Sequence, residues 1–500
     1  MTVLQMAHPS LDERRAHGLE AREHAPLADH TGWRVATDRP DPVELLSDQD
    51  RTREPDLVPV RHGRMMVSPF TFYRGAARIM AADLAKTPTA GLDVQLCGDA
   101  HLSNFGVFAS PERRLMFDLN DFDETLPGPF EYDVKRMCAS FTIAARNNGF
   151  SKSDVRAVTL AGAAAYREAM ADFAQMRTLD IWYAHLSEDE LMASIRSTVD
   201  ASSATPTTKG KKKATDKSKG SKSKKVVQVD KAMVKAEKNA KKSAAKAHTR
   251  DSLQALSKLG ERVNGHYRIV SQPPIVVPGR ELQATYGLSE QETEKAVHDQ
   301  FRSYRATLPD DRRHLLERFE FVDFARKVVG VGSVGTRAFI VLLQGRDADD
   351  PLFLQIKEAT TSVLEGALPK SRFKNHGERV VQGQRMMQAA SDIFLGWTKG
   401  LDVTRHFYWR QLRDMKGSAL VETMVPAALT FYARTCGWTL ARAHARSGDP
   451  VAIANYLGRN DAFDNAITDF SERYADQNER DFQQFVDAIH SGKLNAIEGV

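Results

Sequence analysis

The sequence predicts an α+β protein with a small antiparallel β lobe and a larger, mainly helical lobe built from both ends of the chain. Two observations carry this prediction. Strand-like apolar runs are concentrated between residues 320 and 412, where they surround a glycine-rich loop. Segments whose apolar residues recur at helical spacing lie on both sides of that region. At 500 residues the chain is too long for one ordinary domain.

The individual elements follow from spacing and turn residues. Residues 1–60 are charged, rich in proline and weakly periodic, so we expect an extension with at most one helix that drapes over the body. Helices are predicted at 70–84, 131–147, 152–176, 289–319, 378–391, 431–446 and 464–489. Strands are predicted at 93–97, 114–120, 321–344, 352–356 and 406–412, and a loop at 126–129.

The composition excludes several classes of protein. Hydrophobic residues make up 42% of the chain and aromatic residues 8%, as in globular proteins. Three widely spaced cysteines without a C-x-x-C pair argue against a disulfide framework and a cysteine-ligated zinc site, and they favour a reducing compartment. The chain has no apolar run of about 18 residues and no signal peptide pattern. We therefore expect a cytoplasmic protein without a membrane partner.

One segment holds the positive charge. Between Lys209 and Lys246 there are fifteen lysines and three acidic residues, so the rest of the chain has a net charge of −7, against +5 for the whole. Its composition predicts disorder, with a helix after Val229. We interpret the segment as a solvated insertion. The alternative is a salt-dependent contact with nucleic acid or another polyanion, which would be nonspecific because no aromatic residue is present for base stacking.

The glycine-rich loop has the pattern G-x-G-x-x-G. In dinucleotide-binding folds this pattern opens a helix. Here β-branched and apolar residues follow, which predicts a strand–loop–strand hairpin. That is the arrangement of a kinase glycine-rich loop, in which small residues let backbone N–H groups approach the ATP phosphates. The candidate cofactor-binding residues of the loop are Gly330, Gly332, Ser333 and Gly335.

The next strand ends near Lys357, where a kinase keeps the lysine that contacts the α- and β-phosphates. Glu378 follows 21 residues later, at the start of a predicted helix, and would pair with Lys357 and orient it. Taken alone, a lysine at a strand end is usually solvated, and a glutamate at a helix start usually stabilises the helix through its interaction with the helix dipole. Their order after the glycine loop favours the functional interpretation.

A second group of polar residues lies early in the chain. Asp99 and Asn104 fall in a predicted loop, and Asp121 and Asp123 follow the next strand. Turn chemistry explains an Asp and an Asn in a loop, but not the acidic pair that follows. Acids gathered in one pocket repel each other, and a divalent cation removes that repulsion. Phosphoryl transfer uses one carboxylate to orient the nucleophile and further oxygen ligands to hold Mg²⁺.

These stretches resemble motifs of known families. Residues 98–104 (Gly-Asp-Ala-His-Leu-Ser-Asn) resemble the H-G-D-L-H-P-G-N catalytic loop of aminoglycoside phosphotransferases and choline kinases. Asp-Phe-Asp at 121–123 resembles their metal-binding I-D-F-D, and residues 129–133 resemble the P-x-x-Y-D that follows it. From about residue 20 to 490, the chain also resembles an uncharacterised bacterial family, a domain of unknown function with C-G-D-A-H-x-x-N-F-G and N-D-F-D-E motifs.

The first resemblance implies a protein kinase-like two-lobe fold that uses ATP and Mg²⁺. By position, Asp99 would be the catalytic base and Asp133 would brace its loop. Lys357 would be the catalytic lysine, with Glu378 as its partner. The metal ligands would be Asn104, Asp121 and Asp123.

Two departures from the pattern matter. The first His of the phosphotransferase motif is Cys97 here. The order is also inverted, because the glycine loop and Lys357 follow the catalytic loop by more than 200 residues. A circular permutation reconciles this order, since the termini of compact domains often lie close together. It predicts that Lys357 and Asp121 reach each other across one cleft.

The chain is therefore divided into an extension (1–60), a helical-lobe part with the catalytic and metal-binding loops (61–200), the lysine-rich insertion (201–250), a helical segment (251–319), a β-rich nucleotide-binding lobe (320–417) and C-terminal helices (418–500). The leading hypothesis is an ATP- and Mg²⁺-dependent phosphotransferase that acts on a hydroxyl of a small molecule. The alternatives are a nucleotide-binding pseudokinase or adenylyl-transferring relative, and a polyanion-binding protein that uses residues 209–246.

Overall fold

A computed structural model describes residues 8–203, 235, 237–287, 289–328, 330–412 and 414–499, and it shows a mixed α+β chain in which every described strand pair is antiparallel. The helices are α1 Leu11–His24, α2 Pro42–Asp50, α3 Val58–Met65, α4 Pro69–Gly75, α5 Ala77–Leu84, α6 Phe130–Asn147, α7 Lys152–Phe173, α8 Thr178–Tyr183, α9 Glu188–Ser203, α10 237–248, α11 Ser252–Leu259, α12 Gly279–Tyr286, α13 Glu290–Arg305, α14 Asp310–Leu316, α15 His376–Met387, α16 Pro426–Ala445, α17 Pro450–Leu457 and α18 Ala462–His490. The strands are β1 Asp93–Leu96, β2 Phe105–Ala109, β3 Leu115–Leu119, β4 Leu126–Pro129, β5 Leu186–Ser187, β6 Gly260–Val263, β7 His266–Ile269, β8 Val276–Pro278, β9 Glu320–Lys327, β10 Ala338–Gln344, β11 Pro351–Ala359, β12 Gly396–Lys399, β13 His406–Gln411 and β14 Gly417–Ser418.

A six-stranded sheet, in the order β12-β13-β11-β10-β9-β8, contains the predicted glycine-rich hairpin. β9 and β10 are its two strands, and β11 pairs with β10 on the other side. Successive residues of β10 point to opposite faces: Ile340 and Leu342 pack with α11, and Val341 and Leu343 pack with α13 and α14. Because both faces are covered, the sheet is fixed firmly enough to hold the hairpin and Lys357 in place.

The largest core is mainly helical and includes residues from both ends of the chain. Helix α6 lies at its centre, with buried residues on all sides from Phe130 to Ala145, and α7, α16 and α18 pack around it. A helix that is buried on every side needs its polar groups to be paired. Two of those groups, Asp133 and Arg136, reach the candidate site.

The prediction of at most one helix in residues 1–60 was wrong. Helices α1 and α2 and a 3₁₀ turn lie in this part, and α1 runs along α17. Ser10 and Glu13 form a capping box at the start of α1, and the carboxylate of Asp41 caps α2. The apolar periodicity of these helices is weak because they bury only a few side chains, so the spacing did not indicate them.

Three further predicted elements differ from the structure. The helix expected at 289–319 is divided into α13 and α14. The helix expected at 70–84 is broken into α4 and α5 at Ala76, whose φ of −104° and ψ of 28° are not helical. The loop expected at 126–129 is the strand β4, which pairs with β1. Proline disfavours a strand because it has no N–H to donate. It is tolerated here because β4 is an edge strand with a neighbour on one side.

The disorder predicted for the lysine-rich segment falls mostly on residues outside the described ones. The described end of the segment forms α10, in agreement with the helix expected after Val229. Ala244 and Ala247 of α10 are buried against β2, β3 and Met415. The three cysteines are buried free thiols. Within the described ranges, no helix combines the length and apolarity that crossing a membrane requires.

Candidate functional site

The loop between β1 and β2 is held in place by the carboxylate of Asp133 on α6. The backbone N–H groups of Cys97 and Gly98 donate to the Asp133 carboxylate at 2.7 and 3.0 Å, and His444 Nε2 lies 3.2 Å from it. Gly98 has a φ of +84°, and a Cβ there would lie 2.3 Å from the Glu124 carbonyl oxygen. The predicted bracing role of Asp133 is confirmed.

The next residue of this loop, Asp99, is paired with Arg136. Arg136 Nε donates to Asp99 Oδ1 at 2.8 Å, and Asn104 Nδ2 donates to the Asp99 backbone carbonyl at 2.8 Å. Burial raises the pKa of Asp99, although the Arg136 guanidinium opposes that rise. His101 Nδ1 accepts from the Ser103 N–H, so His101 supports the loop. Asp99 Oδ2, which lies 3.8 Å from His101 Nε2, is the carboxylate oxygen that can face a ligand.

Lys357 joins the glycine-rich sheet to the early acidic pair. Its Nζ lies 2.6 Å from Asp123 Oδ2 and 3.8 Å from Asp121 Oδ1, so the predicted approach of Lys357 to Asp121 is confirmed. Tyr408, opposite Lys357 in the β11–β13 register, donates its hydroxyl to Asp123 Oδ1 at 2.6 Å. Both Asp123 oxygens are therefore occupied.

In this cluster Lys357 and Asp123 each stabilise the charged form of the other. Burial disfavours the Lys357 ammonium, but Asp121 and Asp123 outweigh burial and raise its pKa. Burial also favours a neutral Asp123, yet Lys357 and the hydrogen bond from Tyr408 hold the pKa of that carboxyl below its ordinary value. For Asp121 burial dominates and raises the pKa. A fully buried lysine with two carboxylates is expected to stay charged.

The structure replaces the predicted Lys357–Glu378 pair with the pair between Lys357 and Asp123. Glu378 is half-buried in the first turn of α15, where its N–H donates to Asn375 Oδ1. Its carboxylate forms no ion pair within the described ranges. The neighbouring Arg379 is buried, and it donates to the backbone carbonyls of Asp123, Thr125 and Thr360. Helix α15 therefore braces the acidic loop through Arg379.

The glycine-rich loop is held by the N-terminal part of the chain. Glu54 N–H donates to Gly335 O at 2.7 Å, Arg53 Nη1 donates to Val334 O at 2.5 Å, and Arg64 Nη1 donates to Gly330 O at 2.6 Å. Three carbonyl groups of the loop are thus engaged by the N-terminal part of the chain. The N–H groups of Gly332 and Ser333 donate to no acceptor among the residues that the structure describes.

Two cavities meet at this cluster. The smaller, of about 120 Å³, is lined by the glycine loop and by Asp99, Asn104, Asp121 and Asp123. The larger, of about 510 Å³, has a size that suits a small-molecule ligand. It is lined by Lys357, by apolar residues such as Phe108 and Leu412, and by the cations Lys246, Arg250, Lys258, Arg410 and Lys416. Both cavities share Asp121, Gly330 and Ser333.

A magnesium ion could be held where the cavities join. No group of three or more His, Cys, Asp or Glu residues in the described part of the chain forms a metal site by itself. However, Asp121 Oδ1 is buried without a hydrogen bond. Asn104 donates through Nδ2, which leaves its Oδ1 as an acceptor. Such a pair of oxygen ligands fits Mg²⁺, which commonly takes its other ligands from water and substrate phosphates.

Several residues of the site were not predicted from the sequence. Arg136 stands three residues after Asp133, so helical spacing could have indicated that both reach the same loop. Tyr408 and Arg379 gave no such signal, because the strand register and the helix rotation that aim them at Asp123 are tertiary features.

Comparison with known families adds one assignment. Residues 53–242 and 208–488 match the family described as "Uncharacterized protein conserved in bacteria (DUF2252)". The chain belongs to this family. The matched residues of this DUF2252 member include both site loops, the glycine hairpin and Lys357. No curated protein and no solved structure matches the chain.

Proposed function

We propose that this protein is an ATP- and Mg²⁺-dependent phosphotransferase with a circularly permuted, kinase-like two-lobe fold, in which the six-stranded sheet is the small lobe. The observation that carries the proposal is the contact of Lys357 with Asp123 and Asp121. It joins the strand after the glycine hairpin to the acidic loop, as the kinase motif pattern requires. The inverted order of the two parts is what a permutation would give.

The nucleotide would occupy the larger cavity, with its base toward Phe108 and Leu412 and its phosphates toward Lys357. The basic residues of that cavity would offset the phosphate charge. The N–H groups of Gly332 and Ser333, which donate to no acceptor among the described residues, suit phosphate oxygens. Magnesium, held by Asn104 and Asp121, would neutralise charge on the phosphates.

In the proposed reaction, Asp99 orients the acceptor. The acceptor hydroxyl would donate to Asp99 Oδ2, while Arg136 holds Oδ1 and fixes the carboxylate. The hydroxyl oxygen attacks the terminal phosphorus, the bond from that phosphorus to the bridging oxygen breaks, and ADP leaves. The hydroxyl proton passes to Asp99.

Thermal unfolding with and without Mg²⁺ and ATP tests the proposal. A ligand that binds only the native state stabilises it by about 2.7 kcal/mol at a hundredfold excess over its dissociation constant. We expect a Mg²⁺-dependent rise in melting temperature that is lost in Asp121→Asn and kept in Asp56→Asn. Asp56 is half-exposed and pairs with Arg326 outside the cleft. No rise in the wild-type protein at millimolar ATP would refute the proposal.

Product analysis separates kinase chemistry from its relatives. With an acceptor that supports turnover, a phosphotransferase releases ADP, whereas adenylyl transfer releases pyrophosphate. Nucleotide binding without turnover on any acceptor would favour a pseudokinase. We expect ADP, because Asp99 faces the cavity that adjoins the glycine loop.

A further inference from the structure

Arg74, the penultimate residue of α4, is a basic residue of the cleft. It lines the smaller cavity together with Asp99 and the glycine loop. Its side chain makes no hydrogen bond and no ion pair within the part of the chain that the structure describes, and its Nε is buried. Burial lowers the pKa of Arg74, because desolvation disfavours the charged guanidinium.

The neighbouring cations are already engaged. Arg53 donates to Val334 O, Arg136 to Asp99 and Lys357 to Asp123. The acidic groups that act on Arg74 are Asp99 and Glu422. Asp99 is neutralised by Arg136, and neither acid is within ion-pair distance of the Arg74 guanidinium. A largely buried and uncompensated charge is costly, so it points to a ligand that supplies the opposite charge.

The glycine loop provides matching donors on the same cavity. Gly332 packs so closely on α4 that a Cβ there would lie 3.0 Å from the Arg74 carbonyl oxygen. The N–H groups of Gly332 and Ser333 have no acceptor among the described residues. A guanidinium and free backbone N–H groups on one cavity are the donors that bind phosphate or carboxylate oxygens.

We propose that Arg74 and the N–H groups of Gly332 and Ser333 form an oxyanion-binding site between the glycine loop and Asp99. The ligand is a phosphoryl or carboxylate group. It comes either from the terminal phosphoryl group of the nucleotide or from an acidic group of the acceptor. The place of the site in a reaction rests on the proposed function, but its ability to bind an anion does not.

Calorimetric titration with inorganic phosphate tests the site. We expect the wild-type protein to bind phosphate with a dissociation constant on the order of 1 mM. Arg74→Gln should weaken phosphate binding by at least about tenfold. The phosphate affinity of Arg74→Lys should lie between those of the wild-type protein and Arg74→Gln. Arg78→Gln is the matched control, because Arg78 lies on the next helix, α5, is partly exposed and does not line the cavity. Wild-type affinity in Arg74→Gln, or no phosphate binding by the wild-type protein, would overturn the proposal.

The fold of the variant can be checked independently. Arg74→Gln removes no hydrogen bond or ion pair of the described residues, so its melting temperature should be equal to or above that of the wild-type protein. If Arg74→Gln folds normally, its weaker phosphate binding results from the loss of the Arg74 side chain and not from unfolding. A normal fold with unchanged binding would count against Arg74 directly.

Two nucleotide complexes distinguish the sources of the anion. Phosphate is titrated into the protein saturated with Mg²⁺ and ADP, and separately with the imido analogue of ATP. If only the analogue excludes phosphate, the site holds the terminal phosphoryl group. If phosphate still binds beside the analogue and needs Arg74, the site holds an acidic group of the acceptor. If neither nucleotide binds but phosphate binding still needs Arg74, the oxyanion site stands and the proposed function fails.

Discussion

Lys357 and Asp123 are 234 residues apart in the sequence, and Lys357 Nζ lies 2.6 Å from Asp123 Oδ2 in the fold. The pair joins the six-stranded sheet to the loop after β3. Lys357 is almost completely buried, whereas Asp123 lines the cleft. The contact therefore contributes both to the packing of the two parts and to the electrostatics of the candidate site.

This pair should show strong energetic coupling. Lys357→Met leaves two acidic groups without their cation and should lower the free energy of unfolding by about 3–5 kcal/mol. Adding Asp123→Asn to that variant should recover part of the loss, with a coupling of about 1–3 kcal/mol in a double-mutant cycle. Urea unfolding of the wild-type protein, the two single variants and the double variant measures this coupling energy. Losses that add within about 0.5 kcal/mol would contradict the pairing.

The N-terminal segment should control the mobility of the glycine loop. Glu54 pairs with Arg337 at the end of the loop at 2.8 Å, and its N–H holds Gly335 O. Glu54→Gln should weaken this contact and speed amide exchange of residues 330–336, measured by hydrogen–deuterium exchange. Asp56→Asn is the control, because the ion pair that Asp56 forms within the described ranges is with Arg326 on β9 and not with a residue of the loop. Equal exchange in Glu54→Gln and the wild-type protein would contradict this role.

Two glycines with positive φ should differ in their tolerance of alanine. Gly98 has φ +84° and no room for a Cβ, whereas Gly91 has φ +70° and open space around it. Gly91→Ala should cost about 1 kcal/mol from backbone strain alone. Gly98→Ala should cost at least about 3 kcal/mol, because the Glu124 carbonyl must also move. Thermal unfolding of both variants compares them, and similar losses would contradict the close approach.

His30 should make the stability fall in mild acid. It is buried beside Tyr456, and burial, with a contribution from Lys135, lowers its pKa to about 3. Because the unfolded chain then binds a proton that the folded chain does not, stability is complete above the unfolded pKa and is lost as the pH falls. Between pH 6.5 and 5 the loss is about 2 kcal/mol.

His30→Gln should remove that part of the pH dependence, as measured by urea unfolding at both pH values. His24→Gln is the control, because His24 is exposed on α1. A wild-type slope in His30→Gln would show that other groups account for the acid sensitivity.

The lysine-rich segment should be dispensable for nucleotide binding. The nine lysines between residues 209 and 225 precede α10, which lines the larger cavity through Lys246. Their replacement by serine should leave the shift in melting temperature with Mg²⁺ and ATP unchanged, while retention on a heparin column falls. Replacement by arginine keeps the charge and serves as the control. Loss of the nucleotide effect only in the serine variant would favour the polyanion hypothesis.

The sequence by itself determined which side chains form the site and on which strands and loops they lie. The glycine pattern followed by β-branched residues predicted the β9–β10 hairpin, and the short interval to Lys357 placed that lysine on β11, because both are local features of strand propensity. Asp99, Asn104, Asp121 and Asp123 were singled out by their spacing around one strand. Each of these inferences needed only neighbouring residues.

Only the tertiary structure decided which partners those residues have. Lys357 meets Asp123 and not Glu378, because the packing of α15 turns Arg379 inward. The β11–β13 register sets Tyr408 beside Lys357, and the fold leaves Arg74 without a hydrogen bond or ion pair among the residues that the structure describes. Contacts across hundreds of residues depend on how helices and sheets pack. Local spacing does not encode that packing, so the sequence supplied the groups and the fold selected their neighbours.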